Sequence, residues 1–181
     1  MKAPILQTER LLIKPLSLMH LSQDYVDWLN DKDVYQYLET GGDYTIQMLQ
    51  EYISDAEKKD IYFWAVHIKE NEMHIGNIKI DPINQRHGLA EYAIMMGRKS
   101  EWGKGYAKEA TLRIIDFSFN ELNIRKLTLG VVADNMNAYH LYQKLGFEQE
   151  GIYKKHGVYL GKYCDIIRMA LFNPNYNLNG K

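Results

Sequence analysis

Between Ile61 and Met96 the apolar residues keep a period of two through three successive segments, Ile61 to Ile68, Met73 to Ile80 and Leu89 to Met96. Only short turn signals separate them, Glu70-Asn71-Glu72 and Asn84 to Gly88. Connections of this length join neighbouring antiparallel strands, so the centre of the chain is expected to be a meander. The remaining elements must then pack on the faces and edges of that sheet.

On both sides of the meander the period lengthens. Leu11-Leu12-Ile13-Lys14-Pro15-Leu16 reads as a short opening strand, Leu18 to Leu29 as a helix capped by Ser17, and Thr45 to Glu57 as a second helix. From Gly105 to Leu122, Glu109, Arg113, Asp116 and Asn120 form one narrow polar stripe while Ala107, Ala110, Ile114, Ile115, Phe119 and Leu122 cover the rest. Such a helix lies on a sheet. Lys126 to Val132 is a strand of β-branched and aliphatic residues, and Asn137 to Leu145 is a helix stopped by Gly146. Phe147 to Tyr153 and Lys162 to Leu171 close as strands. The order is β-α-α-β-β-β-α-β-α-β-β, an α/β domain over residues 1–172, with the Asn-rich residues 173–181 expected to form a flexible tail.

Composition narrows the function. Lys and Arg total 22 against 23 Asp and Glu, so the basic footprint of a nucleic-acid binder is missing. A single cysteine, Cys164, closes no internal disulfide, and no four-ligand Cys/His set exists, so the expectation is a metal-free protein. The first residues lack a signal-peptide core and no apolar run approaches bilayer length, so the chain is expected to be cytoplasmic with no membrane partner. Charge is divided unevenly, with net −5 over residues 1–60 and +4 over 61–181. An anionic ligand on the later part and a cationic one near the earlier part would fit that division.

The segment Trp102-Gly103-Lys104-Gly105-Tyr106-Ala107 lies between the third meander strand and the amphipathic helix. Its glycines let a ligand approach the backbone, and free amides at a helix start favour an anion. It has the construction of a phosphate cradle. A Walker loop or a dinucleotide fingerprint would need a different glycine spacing, so neither is present.

Read together with a second segment, this loop resembles the acetyl-CoA loop of the GNAT N-acetyltransferases, Gln/Arg-x-x-Gly-x-Gly/Ala, matching at Gly105 and Ala107 and departing at Trp102. The second segment runs from Asn135 through Ala138 and Tyr142 to Gly146-Phe147 and is similar to the family's Asn-x-x-Ala-x-x-x-Tyr-x-x-x-Gly-Phe. The likeness extends from Thr8-Glu9-Arg10-Leu11 to Ile167-Arg168-Met169. It is nearest to the branch holding ribosomal-protein N-terminal, polyamine and nucleotide-amino-sugar acetyltransferases.

The resemblance implies a mixed, mostly antiparallel sheet of about seven strands flanked by four helices and splayed between strands four and five. It implies acetyl-CoA as the acetyl donor and no metal, with a primary amine attacking the thioester directly in a ternary complex. The donor would be held by Ile94, Met95 and Met96 of the fourth strand, by Trp102, Gly103, Lys104, Gly105, Tyr106 and Ala107 of the loop, and by Asn135 and Asn137. Tyr142 matches the family's tyrosine and is the candidate acid for the leaving thiolate. Glu91, a lone carboxylate in an apolar strand, is the candidate base, directly or through water, with burial expected to raise its pKa. His74, His87 and His140 match no family motif.

The acceptor side would be bordered by the first helices, with Trp28, Asp31, Tyr37 and Glu39 as an acidic and aromatic wall, and by the hairpin around residues 155–162. A protein N-terminal amine, a polyamine or an amino sugar all suit such a wall. A non-catalytic acetyl-CoA-binding module is the alternative from another class. A ferredoxin-like RNA-binding sheet would need exposed sheet aromatics, whereas Tyr62 and Trp64 fall in the expected core. Monomer and homodimer both remain open.

Overall fold

The computed structural model describes residues 3–176. Five strands come first along the chain: β1 (Leu6–Gln7), β2 (Leu11–Pro15), β3 (Tyr62–Ile68), β4 (His74–Asn84) and β5 (Leu89–Met96). Between β2 and β3 lie α1 (Gln23–Asn30), α2 (Lys32–Tyr35) and α3 (Ile46–Lys58). Then follow α4 (Tyr106–Asp116), β6 (Lys126–Val132), α5 (Met136–Lys144), β7 (Glu148–Tyr159) and β8 (Lys162–Phe172). The strands form one sheet in the order β1-β2-β3-β4-β5-β6-β8-β7, antiparallel at every junction except β5 with β6. A parallel junction needs a crossover, and α4 supplies it.

Side-chain alternation sends each strand's residues to two separate cores. On one face Tyr62, Trp64, Val66 and Ile68 of β3 and Ala90 and Tyr92 of β5 pack with Ala110, Ile114 and Phe117 near α4 and with Tyr142 of α5. On the other, Phe63 and Ala65 pack with Tyr25, Trp28 and Leu29 of α1 and Leu49 and Ile53 of α3. Every residue of β3 is therefore buried.

The meander forms as its period foretold, and among the described residues eight strands and five helices replace the expected seven and four. The added strand, β1, has two residues and pairs Leu6 with Ile13, too short a stretch to leave a periodic signal. The added helix, α2, is a single turn capped by Asp31, whose side chain accepts from Asp33 N–H. The expected helix from Leu18 is divided into a 3₁₀ turn at Leu18–His20 and α1, because Ser22 is extended and caps α1 by accepting from Tyr25 N–H at 3.3 Å. Helix α4 stops at Asp116 and widens into a π turn over Phe117–Glu121. The closing hairpin is longer than expected, with β7 reaching Tyr159 and a turn at Leu160 and Gly161, both at positive φ.

The expected flexible tail begins at Asn173, but this residue is anchored. Its Nδ2 donates to the carbonyls of Phe119 and Ile124, and its N–H donates to Arg125 O. Residues 177–181 lie outside the described residues.

Candidate active site

Strands β5 and β6 pair only at Leu89 with Lys126, Ala90 with Leu127 and Glu91 with Thr128. Beyond that point β5 continues to Met96 and β6 to Val132 without pairing to each other. This is the splay that the family resemblance implied between the fourth and fifth expected strands, and it leaves backbone polar groups facing a slot. Ile94 and Met95 hold their outer edge through pairing with Ile78 and Asn77 of β4.

At one end of the slot lies the glycine loop. Gly103 and Gly105 have φ of +76° and +83°, a region costly for any residue with a Cβ, which explains both glycines. Among the described residues, the amides from Gly103 through Lys108 have no hydrogen-bond acceptor, and the bonding of α4 begins with Glu109 N–H to Gly105 O. A run of free amides at the positive end of an eleven-residue helix is an anion cradle. Trp102 is 43% exposed, and its indole N–H donates to Met96 O at 2.9 Å, fastening the loop to the end of β5. That contact is what the departure from Gln/Arg provides here. Lys104 pairs with Glu101 at 2.9 Å, so its charge is already engaged.

Tyr142 projects from α5 into the core of the α4 face, 7% exposed, against the rings of Tyr92 and Phe147 at 6.2 and 5.7 Å. Burial pushes its phenol well above the ordinary range, so it stays protonated throughout neutral pH. Among the described residues its hydroxyl has no hydrogen-bond partner. Tyr92 differs. Thr111 donates to Ala107 O at 2.6 Å, so the one proton left for the 2.7 Å bond between Thr111 and Tyr92 is the Tyr92 hydroxyl's. Of the two phenols only that of Tyr142 is free to give a proton elsewhere.

Asn135 caps α5 by accepting from Ala138 N–H at 3.3 Å, and Asn137 is exposed on its first turn. The Asn135 side-chain oxygen thus serves the helix, while its amide nitrogen has no hydrogen-bond partner among the described residues.

Glu91 shares parity with Ala93 and Met95, opposite to Tyr92 and Tyr142, so candidate acid and candidate base sit on opposite faces of the sheet and meet only through the slot. The apolar burial expected of Glu91 is not found. Its two oxygens accept from Arg168 Nη1 and Nη2, each at 2.9 Å, and the carboxylate is a partly exposed, charge-paired group. Sequence reasoning missed Arg168. The signal available was Gly130, a glycine inside a strand, which is cross-strand from Arg168 and whose absent side chain lets the guanidinium pass.

The four residues expected to line the acceptor are divided by the structure. Trp28 is a correction: its ring is buried, packed on Gly97 and 4.9 Å from the His74 ring, where it supports α1 instead of lining a cleft. Asp31 caps α2 and pairs with Lys99 at 2.7 Å, and that bond holds its carboxyl below the usual range. Tyr37 donates from its hydroxyl to Asp134 O at 3.4 Å, which joins the segment after α2 to the end of β6. Glu39 is exposed, and its charge adds to burial in raising the Tyr159 phenol, so it faces the β7–β8 hairpin. Glu39 and Tyr159 thus lie near each other, with Tyr37 two residues before Glu39 in the chain.

Among the described residues, no cluster of His, Cys, Asp and Glu is arranged to hold a metal ion, and no helix is long and apolar enough to cross a membrane.

Known proteins are similar to this chain. The family model for the acetyltransferase (GNAT) domain matches residues 10–148, well over half of the chain. An uncharacterized N-acetyltransferase p20 from Bacillus licheniformis is 30% identical over 113 residues, 62% of this chain and 63% of that protein. A spermidine N(1)-acetyltransferase from Vibrio cholerae is 35% identical over 102 residues, 56% of this chain and 58% of that protein. The chain thus aligns with about six-tenths of the length of these two relatives. By structure, a spermidine N-acetyltransferase from Vibrio cholerae solved in complex with CoA and spermine superposes with a TM-score of 0.83 at 26% identity, covering 93% of this chain and 99% of that one. With the splayed sheet and the glycine loop at the start of α4, these matches establish that the chain belongs to the GNAT acetyltransferase family.

Proposed function

We propose that the protein is an acetyl-CoA-dependent N-acetyltransferase whose acceptor is a primary amine of a small polyamine-like cation. The observation that carries this is the slot between β5 and β6, with the anion cradle at one end and the free phenol of Tyr142 on the cradle's side of the sheet. Such a slot suits an extended pantetheine arm, with a strand amide near Ile94 or Met95 polarising the thioester carbonyl. The neutral amine attacks that carbon, the C–S bond breaks, and the thiolate takes the phenolic proton of Tyr142. Water in the slot restores the proton to the phenolate.

The amine's surplus proton leaves on the opposite face. Each Glu91 oxygen keeps a second lone pair beyond its bond to Arg168, enough to orient the ammonium or a water that carries the proton away. The small cationic acceptor is favoured by the exposed Glu39 beside Tyr37 and Tyr159, and by relatives named as spermidine acetyltransferases, one of them solved with spermine.

The test is thiol release from acetyl-CoA with spermidine, spermine, amino sugars, nucleotide-linked amino sugars and Ala- or Ser-starting peptides. Release with the polyamines above all others is the expected result. Release with peptides or sugars alone would overturn the acceptor, and CoA binding without release to any amine would assign a binding module instead.

A further inference from the structure

The turn between β1 and β2 is bound to the start of α4 by contacts that the proposed reaction does not use. Thr8 Oγ1 and Arg10 N–H both donate to Glu109 Oε1, the second at 2.8 Å. Arg10 Nε and Nη2 reach Glu109 Oε2 at 2.7 and 2.6 Å. The remaining arm, Nη1, donates to the carbonyl of Lys104 at 3.0 Å, and the guanidinium lies over the Tyr106 ring at 4.5 Å. One side chain therefore holds a loop carbonyl, a first-turn aromatic and a first-turn carboxylate together.

Each contact bears on anion binding. In a trans peptide the C=O and the following N–H point in opposite directions, so holding the Lys104 carbonyl toward Arg10 turns the Gly105 amide away from the clamp. Gly105 is the helix cap and has no side chain to fix its own orientation. Glu109 sits in the first turn of α4, where a bare carboxylate would oppose an anion at the helix start. The Arg10 guanidinium cancels that charge, and Thr8 and Arg10 together occupy both of its oxygens. Without Arg10 the cradle would lose the restraint on its central peptide and face an uncompensated negative group.

We infer that Arg10 is a positioning residue for the pyrophosphate of acetyl-CoA, acting through the Lys104 carbonyl and Glu109 without touching the ligand. The inference rests on the acetyl-CoA reading proposed for this loop. Its test is calorimetric titration with CoA of the full chain and of Arg10→Gln, Arg10→Lys, Glu109→Gln and the double variant Arg10→Gln/Glu109→Gln, with thermal unfolding followed in parallel.

Arg10→Gln is expected to weaken CoA binding about tenfold and raise the acetyl-CoA KM equally, while kcat at saturation stays within about threefold and the acceptor KM is unchanged. Arg10→Lys restores charge but not the fork and falls between. The double variant recovers part of the loss because the stranded carboxylate is gone. Folded Arg10→Gln with the parent Kd overturns the inference, as does a loss confined to Tm. If Arg10→Gln does not fold, a parent-like Kd for Arg10→Lys overturns it instead. Failure of the unaltered chain to bind CoA overturns the cofactor reading itself, a separate result.

Discussion

Glu91 on β5 and Arg168 on β8 form a two-armed ion pair, 2.9 Å on each arm, that crosses β6 at Gly130. A Cβ on Gly130 would lie 2.9 Å from Arg168 Nη1 and 3.0 Å from Ile166 Cγ2. The pair stands where β5 and β6 stop pairing, so it ties the two sides of the sheet together at the base of the slot. Arg168→Leu leaves a partly exposed carboxylate without its partner and is expected to cost about 1 kcal/mol. Gly130→Ala displaces the guanidinium and should lower turnover in the same direction with a smaller loss. Chemical denaturation and steady-state kinetics on both variants check this, and parent-like values in both would refute a role for the pair.

Removing the Tyr142 hydroxyl deletes the proposed proton donor but keeps the ring contacts with Tyr92 and Phe147. Tyr142→Phe is expected to lower kcat by about 100-fold or more, the usual scale of general-acid catalysis, with CoA affinity nearly unchanged. Equal losses in both quantities would reduce the residue to packing.

Gly105 has open space around it, since a Cβ at this position would meet only Arg10 Nη2, at 3.5 Å, so Gly105→Ala acts through its φ of +83° alone. The left-handed region costs a non-glycine residue about 1–2 kcal/mol. If the loop relaxes to escape that cost, CoA binding weakens at least about fivefold while Tm changes little. A titration with unchanged Kd would dissociate the loop conformation from the cofactor.

Glu39→Gln removes the exposed negative charge facing the β7–β8 hairpin. The expected effect is a spermidine KM raised about three- to tenfold, with the acetyl-CoA KM unchanged, and larger at low than at high salt. An unchanged spermidine KM would move the acceptor elsewhere.

The rings of His20, His67 and His74 lie within 5.1 to 5.4 Å of one another, under α1. Burial, with charge from neighbouring histidines, lowers the pKa of His67 to about 4 and of His74 to about 3, against an unperturbed 6.5. For such groups the unfolded chain binds more protons across that interval. The stability they confer is complete above about pH 6.5 and is lost as pH falls toward 3. Urea midpoints measured from pH 7.5 to pH 4.5 should fall, and His67→Phe should flatten the slope.

The meander, the helix on the sheet and the glycine loop were legible from the sequence because each leaves a local mark. Alternation at Tyr62, Trp64 and Val66, the polar stripe of α4, and glycines needed at positive φ are set by residues close in the chain. The tyrosine of α5 was singled out differently, through the resemblance of the segment from Asn135 to Gly146-Phe147 to a known family's segment. β1 and α2 were not, because two paired residues and one helical turn carry no period.

Partnerships across the fold were decided by tertiary structure alone. Arg168 reaches Glu91 from 77 positions away, and Arg10 reaches Glu109 from 99. Nothing local distinguishes an arginine that neutralises a strand carboxylate from one that faces water. Trp28 shows the same limit from the other direction: an aromatic beside acidic residues reads as a binding wall, yet the close approach of Gly97 draws its ring into the core. The sequence by itself determined the longer elements and the glycine loop, since short-range sterics and periodicity govern them. Which charges stay free for a ligand depended on chain segments that only folding brings together.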